Sequence, residues 1–84
     1  MYQDTEFIIL IKLKKLLSQN PKAKQREIAR ICEFSLGSTN SVLRSFEKRG
    51  WIVINRITSR RTTYKMTDKG IEEINKYITA LVLS

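Results

Sequence analysis

With 84 residues, the chain is long enough for one domain and too short for a large core; at this size about 60–65% of the unfolded surface leaves water on folding, so a lone monomer is marginal. Sixteen Lys and Arg against eight Asp and Glu give a net charge of +8, with no histidine and one cysteine. That composition excludes an intramolecular disulfide, argues against any Cys/His metal site, and removes the commonest general acid–base.

No basic segment leading into an apolar stretch opens the chain, and no apolar run approaches the ~20 residues that span a bilayer. A soluble protein of the reducing cytoplasm, without membrane contact, is expected. The charge is uneven. Residues 1–11 carry −2, from Asp4 and Glu6, and residues 68–84 carry −1. Residues 12–34 hold seven cations against Glu27 and Glu33, giving +5, and residues 35–67 hold seven against Glu47, giving +6. A polyanion-facing middle and partner-facing ends would produce this asymmetry.

The first helix is expected from Thr5 or Glu6 to Ser18. Its apolar residues, Phe7, Ile8, Ile9, Leu10, Ile11, Leu13, Leu16 and Leu17, cover more of the wheel than one stripe requires. Leu10, Leu13 and Leu17 suit a core, and the excess around Phe7 to Ile11 suits a contact between subunits. Lys12, Lys14 and Lys15 hold the polar side. Asn20-Pro21 then stops the helix, because the residue before proline is pushed out of the α region.

From Gln25 a second, short helix is expected, with Ile28, Ile31 and Cys32 on one face and Phe34 closing it. Cys32 on that inward face reads as a small buried hydrophobe rather than a redox sensor, since no second cysteine can resolve a sulfenic acid. Ser35 is a good N-cap for a third helix over Leu36–Arg49. Val42, Leu43 and Phe46 form its inward stripe. Ser38, Asn40, Ser41, Arg44, Ser45 and Lys48 form the opposite arc, which holds two cations and no carboxylate.

Gly50 ends this helix, as glycine does past a helix C-terminus. Trp51–Thr58 is a β-branched run suited to a strand, Ser59-Arg60-Arg61 a polar tip, and Thr62–Thr67 the returning strand. Trp51, at the root of the hairpin, is expected in the core. Thr67-Asp68 opens a last helix, with Thr67 as cap and Asp68 at its positive end. Ile71, Ile74, Tyr77, Ile78, Leu81 and Val82 share roughly 140° of its arc. Half of that helix suffices to close a small core, so the rest is expected at a subunit contact.

Helix, turn, helix and a hairpin with two arginines at its tip is the order of a winged helix-turn-helix: mainly α with a small β-hairpin, in one domain over 1–84. The stretches QREIA, SLGSTNSVLRSFEKRGWI and YKMTDKG, within residues 25–70, resemble the winged-helix transcription regulators of the MarR type, and look closest to their small exopolysaccharide-associated branch. The resemblance implies a regulator that binds double-stranded DNA as a homodimer, with 1–18 and 71–84 as dimerisation helices. Arg60 falls where such relatives carry a wing arginine. Thr58 stands where they often keep an acid, and Lys24 where they often keep a Ser or Thr cap.

On that reading the helix over 36–49 enters a major groove. Ser38, Asn40, Ser41 and Arg44 reach base edges, with Asn40 suited to adenine and Arg44 to guanine. Lys22, Lys24, Arg26 and Lys48 meet backbone phosphates, and Gly37 lets a phosphate approach the helix start. Arg60 and Arg61, in the wing over 58–62, take a flanking minor groove or its phosphates. The expected dimer contact comprises Phe7, Ile8, Ile11, Ile74, Tyr77, Ile78, Leu81 and Val82. No metal, cofactor or enzymatic activity is expected, for lack of a convergent carboxylate pair, a phosphate-binding glycine loop or an activated nucleophile. The alternative is a winged-helix adaptor that docks another protein, to which a cationic arc followed by a cationic tip would be of no use. A reader of single-stranded RNA would show exposed aromatics on that arc.

Overall fold

A computed structural model describes residues 4–83. Residues 1–3 and 84, which belong to the expected domain and terminal helices, lie outside the described residues. The elements are α1 (Asp4–Gln19), α2 (Gln25–Cys32), α3 (Leu36–Lys48), β1 (Ile52–Arg56), β2 (Thr62–Met66) and α4 (Asp68–Leu83). The two strands pair antiparallel, from Ile52 opposite Met66 to Arg56 opposite Thr62. This is the helix–helix–helix–hairpin–helix order expected from the sequence. Both strands are shorter than the β-branched runs that carry them: the tip takes Ile57 and Thr58 out of the ladder, and Thr67 leaves β2 at the junction with α4.

The helix α1 is the centre of the core. It packs against α2, α4 and β2, so its apolar circumference is used inside one chain. Phe7, Ile9, Leu10, Leu13, Leu16 and Leu17 are all buried, and Ile11 packs partly buried against them. The excess expected at a subunit contact therefore reduces on this helix to Ile8, which is 46% exposed. Phe7 lies 4.8 Å from Tyr77 in a stacked arrangement and 5.5 Å from the Trp51 ring. Ile74 is likewise in the core. Phe7, Ile74 and Tyr77, three of the expected contact residues, are thus already covered by their own chain.

The short helix α2 buries Ile28, Ala29 and Cys32. Ile31, expected beside them, is 39% exposed. In eight residues only about two turns exist, and the inward arc is filled by 28, 29 and 32, which leaves 31 on the flank. Cys32 is buried, and burial pushes its thiol above the ordinary range. At its start Lys24 offers no side-chain cap, yet the Glu27 carboxylate reaches back towards the Lys24 N–H at 3.5 Å and accepts from the Asn20 amide at 3.1 Å. That supplies half of a capping box without a hydroxyl. The helix ends at Glu33 in the left-handed region (φ 58°), where the Glu33 and Phe34 amides donate to the carbonyls of Arg30 and Ala29. The chain then turns into α3 within three residues, 33–35.

Ser35 caps α3 as expected: its hydroxyl accepts from the Ser38 amide at 3.1 Å. Inside, Leu43 and Phe46 are buried and Val42 partly so, joined by Thr39, whose hydroxyl donates to the Ser35 carbonyl at 2.8 Å. Gly50 adopts φ +78° just past the helix, a conformation open to glycine at little cost. It delivers Trp51 to the core between Phe7 and Phe46. Thr67 closes the other side of this junction, donating to the Gly50 carbonyl at 2.6 Å and accepting from the Gly70 amide at 3.0 Å.

Gly70 packs so closely under the junction that a Cβ there would stand 2.2 Å from the Trp51 carbonyl oxygen. Gly37, on the exposed first turn of α3, has nothing within 4 Å of a Cβ position. The two glycines therefore respond oppositely to one methyl group. Denaturant unfolding should show Gly70→Ala destabilised by about 1–3 kcal/mol, the usual range for overpacking. Gly37→Ala should be stabilised by about 0.5–1 kcal/mol, the helical preference of alanine over glycine. An unchanged midpoint for Gly70→Ala would refute the close packing.

Candidate nucleic-acid interface

The outer arc of α3 is laid out as its spacing requires. Ser38, Asn40, Ser41, Arg44 and Lys48 are exposed, and Ser45 is half-buried. Gly37 stands in the open at the start of the helix. Arg49, which the expected recognition helix included, is its C-cap residue and points elsewhere. Its guanidinium forms a two-pronged pair with Glu6 of α1 at 2.6 and 3.4 Å and lies 4.9 Å over the Trp51 ring. It fastens the end of α3 to α1.

The start of α3 is held from the other side. The Gln25 amide donates to the Leu36 carbonyl at 2.9 Å, which ties the first turn of α2 to the first turn of α3. Lys24 and Arg26 flank Gln25 and are exposed. They line a small open groove whose far wall is Ser59, Arg60 and Thr62 of the wing. Two of the expected backbone cations are therefore brought beside one of the wing arginines. Lys22 is exposed in the preceding turn, where its amide donates to the Asn20 side chain at 3.2 Å.

The wing tip is shaped by Thr58. Its hydroxyl accepts from the amides of Arg60 (3.2 Å) and Arg61 (3.0 Å), and its backbone exchanges hydrogen bonds with Arg61 at 3.2 Å each way. A threonine thus fixes the tip at the position where an acid is common in MarR-type sequences, a small local motif in which a hydroxyl stands in for a carboxylate. Arg60 and Arg61 are both exposed there. Among the described residues neither makes an ion pair within 4 Å, nor do Arg44 and Lys48.

Between α3 and the wing runs a second, larger open groove of about 500 Å³. Asn40 enters it from α3, Arg56 and Thr58 from the wing, and Gln25 from α2, over a floor of Leu43, Ile54 and Tyr64. Burial pushes the Tyr64 phenol up, so it stays protonated at neutral pH. Arg56 makes a two-pronged contact with Glu47 of α3 at 2.9 and 3.1 Å. These hydrogen bonds hold the Glu47 carboxyl below the ordinary range and raise the Arg56 guanidinium. Ser41, Arg44, Ser45 and Lys48 face away from this groove, on a shallow surface that also includes Glu47.

Sequence reasoning missed Gln25, Arg56 and Thr58. One signal for Arg56 was present: by alternation it shares the strand face of Ile52 and Ile54, and Glu47 is the lone carboxylate of residues 35–67.

The model of the family described as "Winged helix DNA-binding domain" matches residues 9–82. Among solved structures, a transcriptional regulator homologue from Pyrococcus horikoshii OT3 is 25% identical with a TM-score of 0.73, over 96% of this chain and 79% of that one. A zinc-responsive MarR family member from Lactococcus lactis shares the fold at 18% identity and a TM-score of 0.68. That alignment covers 94% of this chain and 53% of the other, so the chain spans about half of that protein, whose response to zinc is its own. No curated protein sequence matches the chain. A family match over nearly every described element, on a helix–turn–helix followed by a hairpin, makes the chain a member of the winged helix DNA-binding domain family, with the fold of the MarR-type transcriptional regulators.

Proposed function

We propose that the chain is a regulator that reads a specific sequence in double-stranded DNA, with residues 36–49 in a major groove and the wing over 58–62 on a flanking minor groove or its phosphates. The observation that carries this reading is the exposed arc of α3, where Arg44 and Lys48 make no ion pair within 4 Å among the described residues, beside a wing tip that presents Arg60 and Arg61. Ser38, Asn40, Ser41 and Arg44 take base edges. Lys22, Lys24, Arg26 and Lys48 take phosphates, and the open backbone at Gly37 admits one at the helix start.

The same reading includes a homodimer. Ile78, Leu81, Val82 and Leu83 on α4 and Ile8 on α1 are exposed apolar side chains at the two ends of the chain, where the charge is mildly acidic. Burial of such surface is favourable at about 25 cal/mol per Å², which a small domain uses well. Two-fold symmetry then gives a roughly palindromic operator with half-sites about 34–36 Å apart.

Salt titration of duplex binding is the first test: the log–log slope should be near −0.9 per phosphate neutralised. A chain that binds no duplex even at low ionic strength is an adaptor, and the reading fails. Arg44→Ala should relax sequence preference and cost about 1–3 kcal/mol on the preferred duplex. Arg60→Ala with Arg61→Ala should weaken all duplexes evenly and flatten the salt slope. The reverse pattern would exchange the two roles. Sedimentation should find the parent a dimer, and Ile78→Glu with Val82→Glu a monomer with much weaker operator binding. A parent that stays monomeric at tens of micromolar would refute the dimer.

A further inference from the structure

Glu47 is the one carboxylate between residues 35 and 67, against seven cations. It sits on α3 in line with Asn40 and Arg44, since positions 40, 44 and 47 share an arc at about 100° per residue. An exposed carboxylate there is unfavourable for DNA reading in two ways. It repels phosphates, and three residues from Arg44 it competes with a base for that guanidinium. The attraction is present: Arg44 lowers the Glu47 carboxyl through space, after the larger effect of Arg56.

Arg56 answers both. Reaching across from β1, it takes both carboxylate oxygens at 2.9 and 3.1 Å. The pair stays wet, with the side chains 54% and 35% exposed, so it contributes little to folding. It lies where the two DNA-facing surfaces meet: Arg56 lines the groove with Asn40 and Thr58, and Glu47 lines the shallow face with Arg44 and Lys48. A contact of small value to the fold, at the centre of the reading surface, has its use in that surface.

We propose that Arg56 is a positioning residue for DNA reading: by occupying Glu47 it masks that carboxylate from the phosphates and leaves Arg44 free to reach a base. The inference rests on the assignment of α3 as the reading helix. It differs from a direct phosphate contact by Arg56, and from a simple strut between wing and helix, in how Glu47 enters. If Arg56 acts by occupying Glu47, removing the carboxylate makes the arginine dispensable. If Arg56 touches phosphate or props the wing, removing Glu47 rescues nothing.

A double-mutant cycle tests this. Arg56→Ala, Glu47→Gln and the double variant are measured on the preferred duplex, and on one altered at the base pair whose preference Arg44→Ala abolishes. Arg56→Ala should lose about tenfold or more in affinity for the preferred duplex, the worth of one good base contact, together with most of the discrimination. Adding Glu47→Gln should return both to within about twofold of the parent, a strong coupling between neighbours. Glu47→Gln alone should keep the discrimination. Arg56→Gln, which keeps the stem of the side chain, should behave as Arg56→Ala, and thermal unfolding should give all variants nearly the parent midpoint. A loss that persists in the double variant, or an Arg56→Ala protein that discriminates as the parent does, overturns the proposal. A parent that binds no duplex overturns the assignment of α3 and the proposal with it, whereas a parent that binds with a flat cycle overturns the proposal alone.

Discussion

The proposed reading surface depends on the junction at Gly50-Trp51, where α3 becomes the wing. Four constraints meet there. Gly50 takes a positive φ that turns the chain out of the helix, and the Trp51 ring fills the space between Phe7 and Phe46. The Thr67 hydroxyl bridges Gly50 and Gly70, and Gly70 leaves room for the Trp51 carbonyl where any side chain would collide. Because α3 and the hairpin leave this point in fixed directions, a 13-residue helix and a two-stranded ribbon present one surface. Neither is stable alone: a short helix and an isolated hairpin are both marginal in water. The core at their shared root makes them a unit.

The electrostatic arrangement follows from the same geometry. A domain with a charge of +8 pays in self-repulsion for a cationic surface. The fold limits that cost by pairing some cations and leaving others in water. Arg49, next to the junction, is held by Glu6, and Arg56, at the tip end of β1, by Glu47. Lys76 on α4 lies 3.8 and 3.7 Å from Glu72 and Glu73. Arg44 and Lys48 lie one turn apart on α3, and Arg60 and Arg61 are neighbours at the wing tip, all four exposed to water, which weakens the repulsion between them. A polyanion bound against them would offset that repulsion and release counterions as it does so.

The order of elements was legible because each has a local cause. Ser35 caps, Gly50 stops, Asn20-Pro21 breaks, and the apolar residues of α3 and α4 recur at helical spacing; these signals require no knowledge of the tertiary fold. What was not legible depended on coverage. The crowded wheel of α1 reads as surplus until three neighbours are packed around it, and then only Ile8 remains exposed. Ile31 reads as inward because periodicity gives a direction but not the width of the partner that fills it. The tip of the wing is a further case. Thr58 reads as a missing acid, yet a hydroxyl organises the Arg60 and Arg61 amides. A sequence pattern names a residue type, whereas the turn requires only an acceptor. Long-range ion pairs such as Glu6 with Arg49, separated by 43 positions, leave no periodic trace at all.

These pairs also explain why α3 is held at some places and bare at others. Its end is pinned to α1 by Arg49 and Glu6, a hold to which the wet Glu47–Arg56 contact adds little. Its first turn is fixed through backbone groups, by the Ser35 cap and by the Gln25 amide on the Leu36 carbonyl. These contacts engage one outward side chain of the stretch from Ser38 to Arg44, that of Ser38, whose hydroxyl accepts from the Ser35 hydroxyl at 3.0 Å. The helix is anchored at both ends largely by atoms off its outer arc, and among the described residues Arg44 and Lys48 on that arc make no ion pair. A reading element has to be rigid in backbone and free in side chain, and rigid supports of this kind keep the reading atoms in register. The link through Arg49 also joins α3 to the helix that carries Ile8, part of the proposed subunit contact.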